Sequence, residues 1–558
     1  MSIDIGLGNW MCQRAHRTPA RPALSFEGTT WSYAELQLRI DRLATSLRAH
    51  GVCRGDRVGF LGLNQPAFFE TLFAAARIGA IFVPLNFRLT GAELRYIIND
   101  AGVHTLIVDA PHQPVIDGIR AQLPCRHFGS ADGAAEGWPA MIQAAQDCAP
   151  LPQGEPVDAD DVAIIMYTSG TTGRPKGAML THGNIWWNNT NMLHTVDVER
   201  DDISLVMAPL FHIGGLNITT LVTWQKGGHI VLQRSFDPGG FLAAVAQYRI
   251  NTTFAVPAML LFASQHADFA STDLSSLRLI VVGGAPVPEP LLKIWASRGV
   301  AMNQGYGLTE TAPLVTFLTP EFGMSKLGSA GKTSLFTEVK LVDANGAPIT
   351  TPGEKGEVCA KGPNVMKGYW NKPEATAQAI DREGWFHSGD VGYFDEDGFL
   401  YIADRVKDMI ITGGENVYPA EVESVLYAHP ALAEIAVIGL PDAKWGEAVV
   451  AVVALKKDAT LDLETLRAFG SERLARYKVP TRLEVIDALP RNPAGKVLKF
   501  ELRTRFAAGD EVRAPVARGM SLSIAGRGSR NSVWVRHLPH RTIEVVRRPL
   551  SPRPTGVG

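Results

Sequence analysis

The sequence predicts an α/β fold, and three observations carry that prediction. Short apolar runs alternate with amphipathic helical patterns over the first three hundred residues. A turn-rich β segment begins near Val339, and a second α+β stretch begins after Asp404. The runs RVGFLG, IFVPL, HTLIVD and RLIVVGG read as buried strands of mainly parallel sheets. Between strands, SYAELQLRIDRLATSLRAHG spaces its apolar residues at helical intervals and ends on Gly51 as a C-cap. From Val339, VKLVDANGAPITTPGEKGEVCAKGP places Asn-Gly and Pro-Gly turns between short strands, and Glu396–Gly398 marks another hairpin. The last segment reads as helix PAEVESVLYAHP, strands LAEIAVIGL and AVVAVVAL, and helix LDLETLRAFGSERLARY.

These textures divide the 558 residues into 1–403, a large N-terminal domain of layered sheets with a β-rich subdomain, and 404–509, a small α+β domain. Residues 510–558 form a tail. From Glu511 it holds nine arginines and no lysine, with scattered prolines and no sustained periodicity, which reads as disorder. A net charge of −2 argues against a nucleic-acid partner. Five scattered cysteines read as reduced thiols of a cytoplasmic protein. Ile203–Gln225 lacks charged residues, but its proline, glycines and threonines suit a buried strand, loop and helix better than a membrane span. No integral membrane segment is expected; a peripheral contact and a homodimer are left open.

The stretch YTSGTTGRPKGAMLTH follows the apolar run VAIIM. A loop of Gly, Ser and Thr can turn several backbone N–H groups inward onto phosphate oxygens while a lysine neutralises charge. Pro175 before Lys176 and Gly177 after it break the G-x-x-x-x-G-K-[ST] spacing, so a P-loop kinase or ATPase is rejected. Four further stretches follow in order: APLFHIGGL at 208–216, NQGYGLTET at 303–311, GWFHSGDVGYFDEDGFLYIADRVKDMIITGGENVYPAEVE at 384–423 and PRNPAGK at 490–496.

Together the five stretches resemble those of the adenylate-forming superfamily, over about residues 10–505. The resemblance implies a ligase that joins a carboxylic acid to ATP as acyl-AMP and pyrophosphate, then passes the acyl group to coenzyme A, with Mg²⁺ present. It implies that Thr168, Ser169, Gly170, Thr171, Thr172, Gly173 and Lys176 hold the β- and γ-phosphates. Thr168 and Glu310 lie near the metal, whose hardness suits oxygen ligands. Gly284, Ala285 and Pro286 with Gln304, Gly305, Tyr306 and Gly307 flank the adenine, and Thr309 meets the α-phosphate. Asp390 and Arg405 bind the ribose. Lys496 corresponds to the family's mobile lysine between carboxylate and α-phosphate. The C-terminal domain rotates between half-reactions about Lys407, bringing Gly413, Gly414 and Glu415 towards coenzyme A.

The acyl pocket is expected from His212, Gly214, Gly215, Asn217, Gly283, Tyr306, Gly307 and Leu314. Amino-acid-activating relatives carry an Asp where His212 stands, so a peptide-synthetase domain is disfavoured. A mostly apolar channel suits a fatty acid, the first reading, or an aryl acid such as a cinnamate, the alternative; another acyl acceptor than coenzyme A ranks below both. Asn217 reads either as a partner for a phenolic oxygen or as a helix cap. A chain ended near Gly509 is expected to keep full turnover in a pyrophosphate-release assay, and a collapse of turnover would show the tail to be part of the enzyme.

Overall fold

A strand that is apolar on both faces must be covered on both, and the sequence supplies helices between strands to do so. The computed structural model describes residues 4–507 apart from 169–173, 197, 286, 406–407, 413–414, 443 and 492–496; of 404, 405 and 416 the backbone alone is described. The chain divides into units 1–507 and 508–558, and the second, with the arginine-rich tail, lies outside the described residues.

Two large sheets form the first part. One has seven strands, ordered Gly368–Tyr369, Lys176–Thr181, Val162–Thr168, Ile81–Leu85, Arg57–Leu61, Val103–Val108 and His127–Ser130. The four strands from Ile81–Leu85 to His127–Ser130 are parallel, and Lys176–Thr181 turns back antiparallel on Val162–Thr168. The other has nine strands. Its parallel run is Pro22–Phe26, His229–Leu232, Ile203–Val206, Thr252–Ala255, Leu279–Val282 and Met302–Gly307, flanked antiparallel by Thr29–Ser32 at one edge and by Leu314–Phe317 and then Lys332–Thr333 at the other. The uncharged stretch 203–225 becomes a strand and the helices Ile213–Asn217 and Thr220–Lys226, largely buried. Among the described residues no helix is long and apolar enough to cross a membrane.

The β-rich segment is a five-stranded antiparallel sheet running from Glu338–Val342 through Gly356–Lys361 and Phe386–Phe394 to Leu400–Arg405, with Pro348–Ile349 at its edge. Beyond it, Leu432–Asp442 and Gly446–Leu455 pair over ten registered positions, with helices Pro419–Leu426, Leu463–Ser471 and Lys499–Ala507 alongside.

Local departures from the sequence reading have physical reasons. The helix Tyr33–Ala49 starts at a Ser32–Glu35 capping box and is capped by His50; Gly51 follows the cap with φ 79°, the left-handed turn that glycine adopts freely. The helix expected to run to Tyr477 stops at Ser471. Arg473 and Leu474 both donate backbone N–H groups to the Gly470 carbonyl, closing a tight turn, and only a short turn Arg476–Lys478 follows.

Two long-range ties hold the layers in place. The Leu7 N–H donates to Nδ1 of His182, 3.1 Å away, joining the first helix, Leu7–Arg17, to the end of the hairpin. Asn364, fully buried, donates its amide to the carbonyls of Thr311 (2.8 Å) and Leu314 (2.9 Å) and accepts from Thr337 Oγ1 (2.8 Å). It thereby fastens the β-rich segment to the nine-stranded sheet. Asn364→Ala orphans two buried carbonyls, so urea unfolding should show a loss of about 2–6 kcal/mol, from one to three for each unpaired group.

Candidate active site

The glycine-rich stretch is the connection of a β-hairpin. Thr168 closes the strand Val162–Thr168 and pairs with Lys176, which opens the returning strand; Ser169, Gly170, Thr171, Thr172 and Gly173 lie outside the described residues. The base is anchored by Tyr167, whose hydroxyl donates to Asp100 Oδ2 at 2.7 Å. Burial, and then that carboxylate, hold the phenol well above its ordinary value, so it stays a donor. Tyr167 faces Gly177 in register, and a Cβ at Gly177 would stand 3.0 Å from the ring, so glycine there lets the anchor cross the hairpin.

Next to the hairpin stands Glu310, in the short turn Thr309–Thr311 that follows the strand Met302–Gly307. Its Oε1 accepts from the hydroxyl of Tyr369 at 2.9 Å and from that of Thr168 at 3.3 Å. Lys176 Nζ lies 5.0 Å from the centre of the Tyr369 ring. A carboxylate, two hydroxyls and an ammonium thus meet at the mouth of the loop. The Tyr369 phenol is also held above its ordinary range, by burial first and by Glu310 second. Sequence reasoning missed Tyr369; the available signal was a phenol beside a glycine, Gly368 at φ 143°, in the run KGYW.

Gln304, Gly305, Tyr306 and Gly307 lie along the strand Met302–Gly307, with Gly283, Gly284 and Ala285 just past the neighbouring strand Leu279–Val282; Pro286 lies outside the described residues. Tyr306 donates its hydroxyl to Asp390 Oδ2 at 2.8 Å. Asp390 is buried in the strand Phe386–Phe394 and pairs through its backbone with Arg405. Behind it, Glu357 accepts from the Gly389 N–H (3.0 Å) and sits 2.9 Å from Nδ1 of His387, which fixes the turn before Asp390. Cys359, whose thiol burial pushes up to about 12, lies 3.5 Å from the same nitrogen.

The expected acyl residues gather around a side chain that sequence reasoning did not name. His212 precedes the helix Ile213–Asn217, which carries Gly214 and Gly215. A Cβ at Gly214 would come within 2.7 Å of the Phe254 ring and one at Gly283 within 3.5 Å, while one at Gly305 would meet Leu314 at 3.7 Å. Gly214 and Gly283 therefore flank Phe254, which shares an apolar cluster with Leu314. No sequence signal distinguished this phenylalanine from an ordinary strand residue. Asn217 caps nothing: its amide donates to the Ala312 carbonyl at 2.6 Å, and its Oδ1 has no partner among the described residues.

Of the C-terminal candidates, Glu415 is exposed on the hairpin Ile410–Thr412 to Glu415–Val417. Lys407, Gly413, Gly414 and Lys496 lie outside the described residues.

This architecture and this site define a nucleotide-dependent acid ligase. The AMP-binding enzyme family matches residues 12–370, its C-terminal domain matches residues 421–496, and the chain belongs to that family. A feruloyl-CoA synthase of Amycolatopsis sp is 48% identical over 505 residues, covering 90% of this chain and 99% of that one. The long-chain-fatty-acid–CoA ligase FadD13 of Mycobacterium tuberculosis is 40% identical over 505 residues, covering 89% and 98%. The solved o-succinylbenzoate CoA synthetase of Bacillus subtilis, in complex with its acyl-adenylate intermediate, superposes with a TM-score of 0.79 at 36% identity, covering 89% and 98%. The chain is an AMP-forming acyl- or aryl-CoA ligase that uses ATP and coenzyme A.

The site also has an acid-sensitive component. Burial, with Arg88 adding to it, pushes the partly buried His212 down to about 4, and burial does the same to His182. Both rings are neutral when folded and regain an ordinary value near 6.5 when unfolded. Below pH 6.5 the unfolded chain therefore binds more protons, and stability falls as pH drops towards 4. Urea unfolding at pH 7 and pH 4.5 should show that loss, and His212→Leu should reduce it by about 1–2 kcal/mol, a discounted share of a shift worth about 1.4 kcal/mol per unit.

Proposed function

We propose that this ligase activates an aryl acid of the cinnamate type, in the cytoplasm, through the site built on Glu310 and Asp390. The observation that carries the acid is the Phe254 ring laid against Gly214 and Gly283, a flat apolar wall that suits a planar acyl group. The 48% identity to a feruloyl-CoA synthase supports the same reading. A fatty acid is the second reading, supported by the 40% identity to FadD13 and by the apolar cluster behind Phe254.

The first half-reaction brings a carboxylate against a polyanion, so charge must be cancelled and geometry fixed before attack. Lys176 and the segment 169–173 would hold the β- and γ-phosphates as they depart. Thr168 Oγ1 and Glu310 Oε1, 3.3 Å apart, offer the oxygen donors that Mg²⁺ requires. When bound, that ion supplies charge neutralisation on the phosphates. Asp390 would accept from the ribose hydroxyls with Arg405 beside it. Tyr306, with Gly284, Ala285, Pro286 and Gln304, would frame the adenine, and Thr309 would meet the α-phosphate. Lys496 would bridge the carboxylate and the α-phosphate. For the second half-reaction the segment after Asp404 would turn about Lys407, exchanging Lys496 for Gly413, Gly414 and Glu415 at the coenzyme A side.

Pyrophosphate release across cinnamates and fatty acids, with and without coenzyme A, tests the reading. Cinnamates should give the higher kcat/KM; a clear preference for long-chain acids would replace the aryl reading with the fatty one. Lys496→Ala should lower acyl-AMP formation by about 10²–10³-fold, the range of removing one electrostatic stabiliser of the transition state. Thioester formation from supplied acyl-AMP should stay within a few-fold of the parent, and equal loss of both would remove Lys496 from its assigned role.

A further inference from the structure

The β-rich sheet gathers a thiol, an imidazole and a carboxylate that the ligase reaction does not use. Cys359 stands directly opposite His387 where the strands Gly356–Lys361 and Phe386–Phe394 pair. Glu357 lies two positions before Cys359 on the same strand, so the pleat turns both side chains to one face. The pairing then shifts, with Glu357 meeting Val391, and the segment 388–390 bulges out between the two pairs. One ligand atom from each of Glu357, Cys359 and His387 lies within 4.8 Å of the other two. Among the described residues no other three His, Cys, Asp or Glu side chains bring such atoms this close.

The distances suit one small cation. Cys359 Sγ lies 3.5 Å from His387 Nδ1, and Glu357 Oε2 lies 2.9 Å from the same nitrogen. Zinc bonds of about 2.3 Å to sulfur and about 2.0 Å to nitrogen, at a tetrahedral angle, put those two atoms about 3.5 Å apart. The carboxylate oxygen needs to open by only a few tenths of an ångström, about the length of a small side-chain adjustment. Cys359 is buried, while the His387 and Glu357 side chains are 30% and 27% exposed, so a cation reaches the thiol from their side.

A second carboxylate completes the arrangement from behind. Asp381 Oδ2 lies 3.5 Å from His387 Nε2, the ring nitrogen that faces away from the thiol. A histidine that binds a metal through one nitrogen commonly gives its other N–H to a carboxylate, which fixes the ring and its tautomer. Both carboxylates are themselves held. Asp381 Oδ1 accepts the N–H groups of Glu383 and Trp385, each at 2.9 Å, and Glu357 Oε1 accepts that of Gly389 at 3.0 Å. Each therefore has one oxygen committed to backbone and the other turned to the imidazole. Two carboxylates alone would suffice for a protonated ring. The thiol beside Nδ1 adds nothing to that ion pair, but it is the soft ligand that zinc prefers and magnesium does not.

We infer that Cys359, His387 and Glu357 form a binding site for a thiolate-preferring divalent cation of the zinc type, with Asp381 positioning the imidazole. On binding, the Cys359 S–H bond breaks, its proton passes to solvent and the sulfur lone pair bonds the cation. Three protein ligands leave the fourth position to water. The site braces the turn before Asp390, because Glu357 contributes one oxygen to the cation and the other to Gly389.

The test titrates the reduced full-length protein with Co²⁺, a coloured substitute for zinc whose bond to a thiolate gives a near-ultraviolet charge-transfer band. The parent should develop that band at one cobalt per chain, and added Zn²⁺ should abolish it. Cys359→Ser should lose the band although four other cysteines remain. Asp381→Asn, which keeps all three ligands, should weaken cobalt binding by about 10–100-fold. Zn²⁺ should raise the melting temperature of the parent and leave that of Cys359→Ser unchanged. His387→Gln is the further variant should Cys359→Ser fail to fold, and it too should lose the band. Cobalt uptake without a thiolate band in the parent, or a band that persists in Cys359→Ser or His387→Gln, overturns the inference. Unchanged affinity in Asp381→Asn removes the positioning role.

Discussion

A buried carboxylate needs donors close by, and Glu310 draws them from separate parts of the chain. The Tyr369 hydroxyl arrives from an edge strand of the seven-stranded sheet and the Thr168 hydroxyl from the hairpin, while the Glu310 carbonyl accepts the Met366 N–H at 2.7 Å. Displacing any of these segments leaves a charged group unpaired in a largely dry place. The strands of the hairpin, the turn after Met302–Gly307 and the segment around 366–369 therefore hold one relative position. Asp390 is fixed in a similar manner, with Tyr306 joining the nine-stranded sheet to the β-rich sheet.

The strands and helices were legible because buried parallel strands are continuous apolar runs and the helices carry clear caps. RVGFLG, IFVPL and HTLIVD each became adjacent strands of one sheet, and Ser32 with Glu35 marked its helix start. The order of strands within each sheet was not legible, since pairing partners lie far apart in sequence. The early helix end at Ser471 depended on a local turn around Gly470 that periodicity does not report.

The polar candidates of the site could be proposed from motifs because phosphate, metal and ribose chemistry demands particular groups at particular spacings. Tyr369 and Phe254 could not. Each acts through what surrounds it: a phenol meets a carboxylate 59 positions away, and a ring fills the space that glycines leave. Asn217 shows the same limit from the other side. Its position was evident in the sequence, but whether it capped a helix or faced a ligand depended on the Ala312 carbonyl 95 positions on.

The bond from the Leu7 N–H to His182 spans 175 positions, and its acceptor is the last residue of the glycine-rich stretch. During synthesis the first helix has no acceptor to dock on until the hairpin has been made, so its amide end stays uncommitted until about a third of the chain has been made. Contacts of such sequence separation slow folding, because loop closure is paid before the contact forms. The beginning of the chain is thus among the later pieces to lock, and the helix made first completes the support on which the glycine-rich hairpin rests.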